Sequence, residues 1–286
     1  MNGRTLLARQ ALRAALETRR RIPIAKFDPI CVYDIAERLG IEVRFFGGNS
    51  FGGMYAKASQ AILVPSLRPS GRRAFTCAHE IGHWFFGHGT RIDELAIIGS
   101  RSDGDPEEYI ANTFAGYLLM PPWVVGEAFE RRGCSPITCT PLQAYTVAMQ
   151  MGVGYGTLVS HLYWSLGLIT PVRADELLKT TPKQLRESLL GGDRTRHLVI
   201  ADHAWTKVPI DLQVDDMAIL PEGVALEGRS ASIVGSHHLG ALVVGRSPGI
   251  SRAEAHDGSW SVFLRVSRRD FEGRSIYRHL EDPDVD

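Results

Sequence analysis

The chain is short of the features that mark several large protein classes. Four cysteines occur in 286 residues (Cys31, Cys77, Cys134, Cys139), and they follow neither a zinc-ribbon nor a disulfide-scaffold spacing. Cys134 and Cys139 are near enough in sequence for a local bridge, but two reduced thiols in a loop are the simpler reading, and a reducing, cytoplasmic setting is expected. No run of about 18 apolar residues exists, so no membrane-spanning helix is expected. Neither sign of charge is in excess: 32 basic residues balance 32 acidic ones, which leaves no global field to favour nucleic acid or a membrane surface. With 44% hydrophobic and 22% charged residues the composition is that of a globular protein, long enough for one large domain or two ordinary ones.

The chemistry is concentrated in one stretch, Phe75-Thr-Cys-Ala-His79-Glu80-Ile-Gly-His83-Trp-Phe-Phe86. It holds H-E-x-x-H within a helix-compatible apolar run. Histidines four residues apart lie one turn apart on one helix face, where both imidazoles can meet one ion. Glu80 is turned about 100° from His79 and can reach a water instead of the ion. Two solvated histidines and a surface glutamate are the plainer alternative. Against it, Phe75, Ala78, Ile81 and Phe85 recur at helical spacing and would bury the helix, and buried polar groups need partners. A metal supplies one. Cys77 reads as a small packing residue of the same helix.

A hydrolytic zinc site has three protein ligands and an open position. The downstream candidates are His88, Asp93, Glu94, Asp103, Asp105, Glu107 and Glu108. On a continuous helix His88 would stand about 140° from His83 and miss the ion. The longer pattern H-E-x-x-H-x-x-G-x-x-H fails, because Phe86 and Gly89 occupy the positions of its glycine and last histidine. Ser100 to Pro106 reads as a loop leading into a helix with Asp105 as N-cap, Pro106 at the first helical position and Glu107 serving the helix dipole. Glu108 shares a face with Ala111, Asn112, Ala115 and Leu119, a side small enough for close helix packing. It is the third ligand expected.

These residues carry a resemblance. His79-Glu80-x-x-His83 followed by Glu108-Tyr-Ile-Ala111-Asn112-Thr-Phe114-Ala115-Gly-Tyr-Leu118-Leu119-Met120-Pro121 resembles the ImmA/IrrE zinc metallopeptidases, whose pattern is H-E-x-x-H and then E-x-x-A-N-x-F-A-x-x-L-L-M-P. Every fixed position of both motifs matches, and the resemblance spans roughly residues 28–170. It implies one Zn2+ per chain on His79, His83 and Glu108, with Glu80 as general base. It also implies an intracellular endopeptidase whose protein partner is a helix-turn-helix repressor, cleaved to release stress-response or mobile-element genes. Tyr55, Tyr109 and His88 are the candidates for stabilising the oxyanion, and the sequence does not choose among them.

The expected fold is α+β: a zincin-like domain of small sheet and helices over 1–133, a helix-turn-helix-like subdomain over 134–192, and a β-rich C-terminal domain over 193–286 with a regulatory or sensor role. Arg4 to Arg21 reads as a basic amphipathic helix with Leu6, Leu7, Ala11, Leu12 and Leu16. Val32–Leu39 is a helix closed by Gly40, Ile41–Phe46 a strand, and Gly52–Ala56 with Ala61–Pro65 a hairpin. Gly53, Met54 and Tyr55 are expected at the sheet edge, where a substrate strand can add by β-augmentation. Ala148, Gly152 and Leu158 match a helix-turn-helix spacing. The second helix, Tyr155 to Leu166, offers Thr157, Ser160 and His161 but no Arg or Lys, which argues for packing rather than DNA contact. The alternative function is a DNA- or protein-binding transcription regulator with a structural metal. Asp175–Leu190 is expected as one helix, His237, His238 and His256 as surface histidines, and the acidic tail after Glu281 as disordered.

Overall fold

The computed structural model describes residues 3–48, 52–89, 105–192, 196–206 and 208–281. The architecture is α+β. Helix α1 (Gly3–Arg20) is followed by α2 (Val32–Arg38), which ends where Gly40 takes a φ of 77°. Strands β1 (Glu42–Phe46), β2 (Met54–Ala56) and β3 (Ala61–Pro65) lead into the long helix α3 (Ser70–Phe86). β1 and β3 pair in parallel, and β2 adds antiparallel to β3. Among the described residues β2 has no further neighbour, so Met54–Ala56 is an edge as expected.

Helices α4 (Pro106–Leu119), α5 (Pro122–Glu130), α6 (Pro141–Gln150) and α7 (Tyr155–Ser160) follow. The α6–α7 turn occupies the helix-turn-helix spacing, but the second helix is not one α-helix to Leu166. α7 stops at Ser160 and His161–Ser165 continue as a π-helical turn. There the buried His161 ring lies 2.8 Å from where a Cβ on Gly116 would stand, and its Nε2–H donates to Met120 O at 3.0 Å. Burial pushes the His161 imidazole down to about 4, so it packs as a neutral ring.

The expected helix over 175–190 is two helices, α8 (Pro171–Leu178) and α9 (Pro182–Leu189). Proline tolerates only the first turn of a helix, and Pro182 starts a new one capped reciprocally by Thr181 and Gln184. In α1 the leucines give way to small residues: Ala11, Ala14, Ala15 and Thr18 are buried, whereas Leu6 is 49% exposed. Arg19 is buried and donates to Leu118 O and Asp28 O, which removes it from any surface.

The C-terminal region contains β4 (Leu198–Ile200), β5 (Ile210–Gln213), β6 (Met217–Leu220), β7 (Val224–Glu227), β8 (Ala231–His237), β9 (Gly240–Gly245), β10 (Gly249–Ala255) and β11 (Ser261–Ser267). They form two four-stranded sheets, ordered β5-β11-β10-β7 and β4-β6-β9-β8. A separate core of Trp205, Leu212, Val243, Ala253, Leu264 and their neighbours lies among them. The chain then returns: β12 (Gly273–Arg274) pairs antiparallel with β1 as the fourth strand of the first sheet. An ionic cluster spans the same junction. Arg265 binds Asp211 through two nitrogens (2.5 and 2.9 Å), Asp34 at the start of α2 (2.9 Å) and the Cys31 thiol (3.1 Å), while Arg278 reaches both carboxylates. The His237 and His238 rings lie 4.0 Å apart, tilted by 40°, and the acidic tail beyond Glu281 lies outside the described residues, as do Asp93, Glu94 and Asp103. No helix among the described residues is long and apolar enough to cross a membrane, and the four cysteines are free thiols.

Candidate metal centre

Helix α3 buries Phe75, Ala78 and Ile81 in the core, and the same turns carry His79, Glu80 and His83 inward, each no more than 3% exposed. The helix ends at Gly87, whose φ of 72° suits glycine and turns the chain back so that His88 N–H donates to His83 O at 3.0 Å. Helix α4 begins as expected, with the Asp105 carboxylate accepting from Glu107 N–H at 2.9 Å and Pro106 in the first turn. Its small face meets α3 closely. A Cβ on Gly82 would stand 3.1 Å from Ala111 Cα and Phe114 Cδ1, so the two helices can approach this near only because residue 82 lacks a side chain.

That approach brings three donors together. His79 Nε2 and His83 Nε2 are 2.9 Å apart, and Glu108 places Oε2 and Oε1 3.4 Å from His79 Nε2 and His83 Nε2 respectively. Among the described residues this trio is the one group of three whose ligand atoms all lie within 4.8 Å of one another. Hydrogen bonds from His79 and then His83 hold the Glu108 carboxyl well below its ordinary range despite partial burial, so it is anionic. Two ligand atoms about 2.1 Å from an ion at tetrahedral angles stand about 3.4 Å apart. Both Glu–His separations match that edge, each through a different carboxylate oxygen, and the His–His separation of 2.9 Å is shorter than it. Two imidazoles with a carboxylate are a donor set that zinc accepts.

Glu80 is turned from the trio toward an open cleft of about 480 Å³, whose walls include Gly53, Thr76, His79, Glu80 and Asn112. A Cβ on Gly53 would lie 2.9 Å from Glu80 Oε1 and 2.3 Å from Thr76 Cγ2, so the bare backbone beside β2 is what lets the glutamate reach the sheet edge. Gly53 therefore lines the cleft, whereas Met54 and Tyr55 do not; Tyr55 is 5% exposed and packs in the core. The oxyanion candidates also fall elsewhere. Tyr109 lies under the Arg4 guanidinium, outside the cleft walls, and His88 Nδ1 sits 2.8 Å from His83 Nδ1, on the ring edge away from Glu108. A continuous helix would have carried His88 past the site; the turn at Gly87 instead puts it behind a donor. Asn112 is the cleft residue whose function the sequence left unassigned. It stands one turn after Glu108, and its buried Oδ1 has no hydrogen-bond partner among the described residues. The i, i+4 spacing from Glu108 was the available signal.

Residues 36–159 match the family model of Peptidase_M78, the IrrE N-terminal-like domain. Over that segment the chain carries an IrrE-like domain, which supports an ImmA/IrrE assignment. The IrrE-like segment runs from α2 through α7 and so contains the donor trio, Glu80 and the edge strand. No curated protein matches the chain. Among solved structures, a Mycobacterium tuberculosis transcriptional regulator aligns at 19% identity with a TM-score of 0.35, over 55% of this chain and 46% of its own length. This chain thus spans less than half of that structure.

Proposed function

We propose that the protein is a zinc-dependent endopeptidase. The observation that carries this reading is the convergence of His79, His83 and Glu108 beside a buried glutamate on the floor of an open, strand-edged cleft. His79 and His83 would bind the ion through Nε2 and Glu108 through its carboxylate. With His83 Nε2 committed to the ion, its Nδ1 carries the proton and donates to His88, which fixes the ring. A zinc ion at this place supplies Lewis-acid polarisation of a peptide carbonyl and acidifies the attacking water.

The chain's own residues do the rest. A substrate strand lies along β2, where free backbone groups accept it by β-augmentation, and this places its carbonyl near Glu80. Glu80 takes the proton of the attacking water and returns it to the leaving amine. Asn112, which lines the same cleft, would donate its side-chain amide N–H to the carbonyl oxygen as charge develops there. As substrate we propose a helix-turn-helix repressor met in the cytoplasm, on the strength of the family. For the chain's organisation we propose a peptidase unit (1–133), a helical unit (134–192) and a regulatory β-rich unit (193–286).

The test is metal content by elemental analysis for the wild type, Glu108→Ala and Glu80→Gln, alongside cleavage of a repressor co-expressed with each. The expected result is one zinc per chain in the wild type and Glu80→Gln, clearly less in Glu108→Ala, and cleavage by the wild type alone. Full cleavage by a zinc-loaded Glu80→Gln protein would sink the mechanism. A wild type that takes up no zinc would sink the function.

A further inference from the structure

The cleft beside Glu80 holds more positive charge than peptide hydrolysis uses. Arg68, Arg72 and Arg186 all line it, and among the described residues Glu80 is the single acidic side chain on its walls. Arg72 lies eight residues before Glu80 on α3, a little over two turns and about 12 Å along a helix that rises ~1.5 Å per residue. Arg186 reaches the cleft from α9, beside Tyr145 and Pro182. Its Nε is buried without a hydrogen-bond partner. His197 completes this wall with its Nε2 3.3 Å from Ser70 Oγ; burial first, then Arg186, Arg73 and Arg269, push it down to about 4, so it adds no charge at neutral pH.

Two other shielded arginines of this protein have carboxylate partners inside the chain, whereas the buried Arg19 donates to backbone carbonyls. Arg132 pairs with Asp202 at 2.7 Å and Arg265 with Asp211 and Asp34. Among the described residues, neither the half-buried Arg186 nor the exposed Arg72 has such a partner. For Arg186, a partly desolvated guanidinium with no anion is unfavourable, and the fork geometry of either arginine matches a carboxylate. An extended strand rises about 3.3 Å per residue, so 12 Å corresponds to three or four residues. We propose that this wall is a subsite for an acidic side chain of the peptide substrate, three or four residues from the scissile bond, held by Arg186 and Arg72.

The inference rests on the endopeptidase reading, and one experiment separates the two. Fluorescein-labelled decapeptides of a single Ala/Leu/Gly sequence, carrying Glu, Gln or Lys at each position in turn, are titrated by fluorescence anisotropy into the full zinc-loaded chain with Glu80→Gln. The same peptides are offered to the wild type for cleavage. At one position Glu should bind about tenfold tighter than Gln, and Lys weaker than both. Arg186→Gln should abolish that preference, Arg186→Glu should turn it toward Lys, and Arg186→Lys should keep part of it. Arg72→Gln, at an exposed position on a rigid helix, should reduce it.

Equal binding of the Glu, Gln and Lys peptides would overturn the subsite. So would a Glu preference that survives both Arg72→Gln and Arg186→Gln. A Glu preference without any cleavage by the wild type would support the subsite and refute the endopeptidase reading; cleavage with no Glu preference would do the reverse. Tighter, salt-sensitive binding of an oligonucleotide, lost in the same arginine variants, would replace the acidic peptide with a phosphate backbone.

Discussion

Gly53→Ala tests how the edge strand and the general base are placed together. A Cβ at residue 53 would stand 2.3 Å from Thr76 Cγ2 and 2.9 Å from Glu80 Oε1. The first distance is about 1 Å short of ordinary contact and the second about half an ångström. Relief must come from outward movement of β2, which has no neighbour beyond it among the described residues, or from rotation of Glu80. Overpacking of this kind destabilises by about 1–3 kcal/mol, and a misplacement near 1 Å at a reacting group lowers turnover by about 100-fold. Zinc content should stay at the wild-type value, because the donor trio does not touch Gly53.

Thr76→Ser removes Cγ2 and with it the worse contact. The double variant should recover most of the stability but only part of the turnover, since the approach to Glu80 persists. Thermal unfolding, zinc content and kcat on a cleaved peptide, measured for both single variants and the double, give the comparison. If Gly53→Ala has wild-type kcat and KM, neither the edge beside Gly53 nor the position of Glu80 matters to catalysis, and the groove assignment fails.

Asn112→Ala should lower kcat about tenfold or more with unchanged zinc content, whereas a change confined to KM would make Asn112 a binding contact only. His88→Ala should weaken zinc binding about tenfold, read by chelator competition, because His83 loses the group that fixes its ring; an unchanged affinity would remove His88 from the site's support. Arg265→Ala should destabilise the chain by about 2–3 kcal/mol in denaturant titration, less than the ~3–5 kcal/mol of a fully buried pair because Asp211 and Asp34 remain 33% and 40% exposed. Burial alone would raise the Asp211 carboxyl, but Arg265, Arg278 and His279 pull it well below its ordinary range. Its stabilisation is therefore complete above its unfolded value near 4 and drains as pH falls toward the folded one. Arg265→Ala should flatten the stability curve below about pH 4, and an unaltered acid limb would contradict the cluster's role.

Local pattern carried a large part of this protein. The apolar spacing around His79 and His83, the Asp105–Pro106 start of α4 and the small face of Ala111 and Ala115 sufficed to name the donor trio, because each is decided by residues within a few turns of one another. The apolar runs within β6, β9 and β11 are legible as strands for the same reason. β10 was harder, since its inward positions are Gly249, Ser251, Ala253 and Ala255, residues too small or polar to mark an alternating face. The break at Pro182 had its signal in Thr181-Pro-Lys-Gln184, which helical periodicity outweighed.

Other features depended on distance in three dimensions and had no local signature. The return of β12 to the first sheet, and the meeting of Asp34 with Asp211, Arg265 and Arg278, join residues from opposite ends of the chain. The position of His88 depended on the turn at Gly87, which replaced the straight helix that spacing arguments assume. The cleft's arginines come from the segment before α3, from α3 and from α9, with His197 from beside β4, and no single segment shows them as one wall. Spacing along one helix fixes which side chains share a face, so the sequence determined the donors. Only the packing of separate elements sets what stands opposite that face, so the tertiary structure decided the cleft around them.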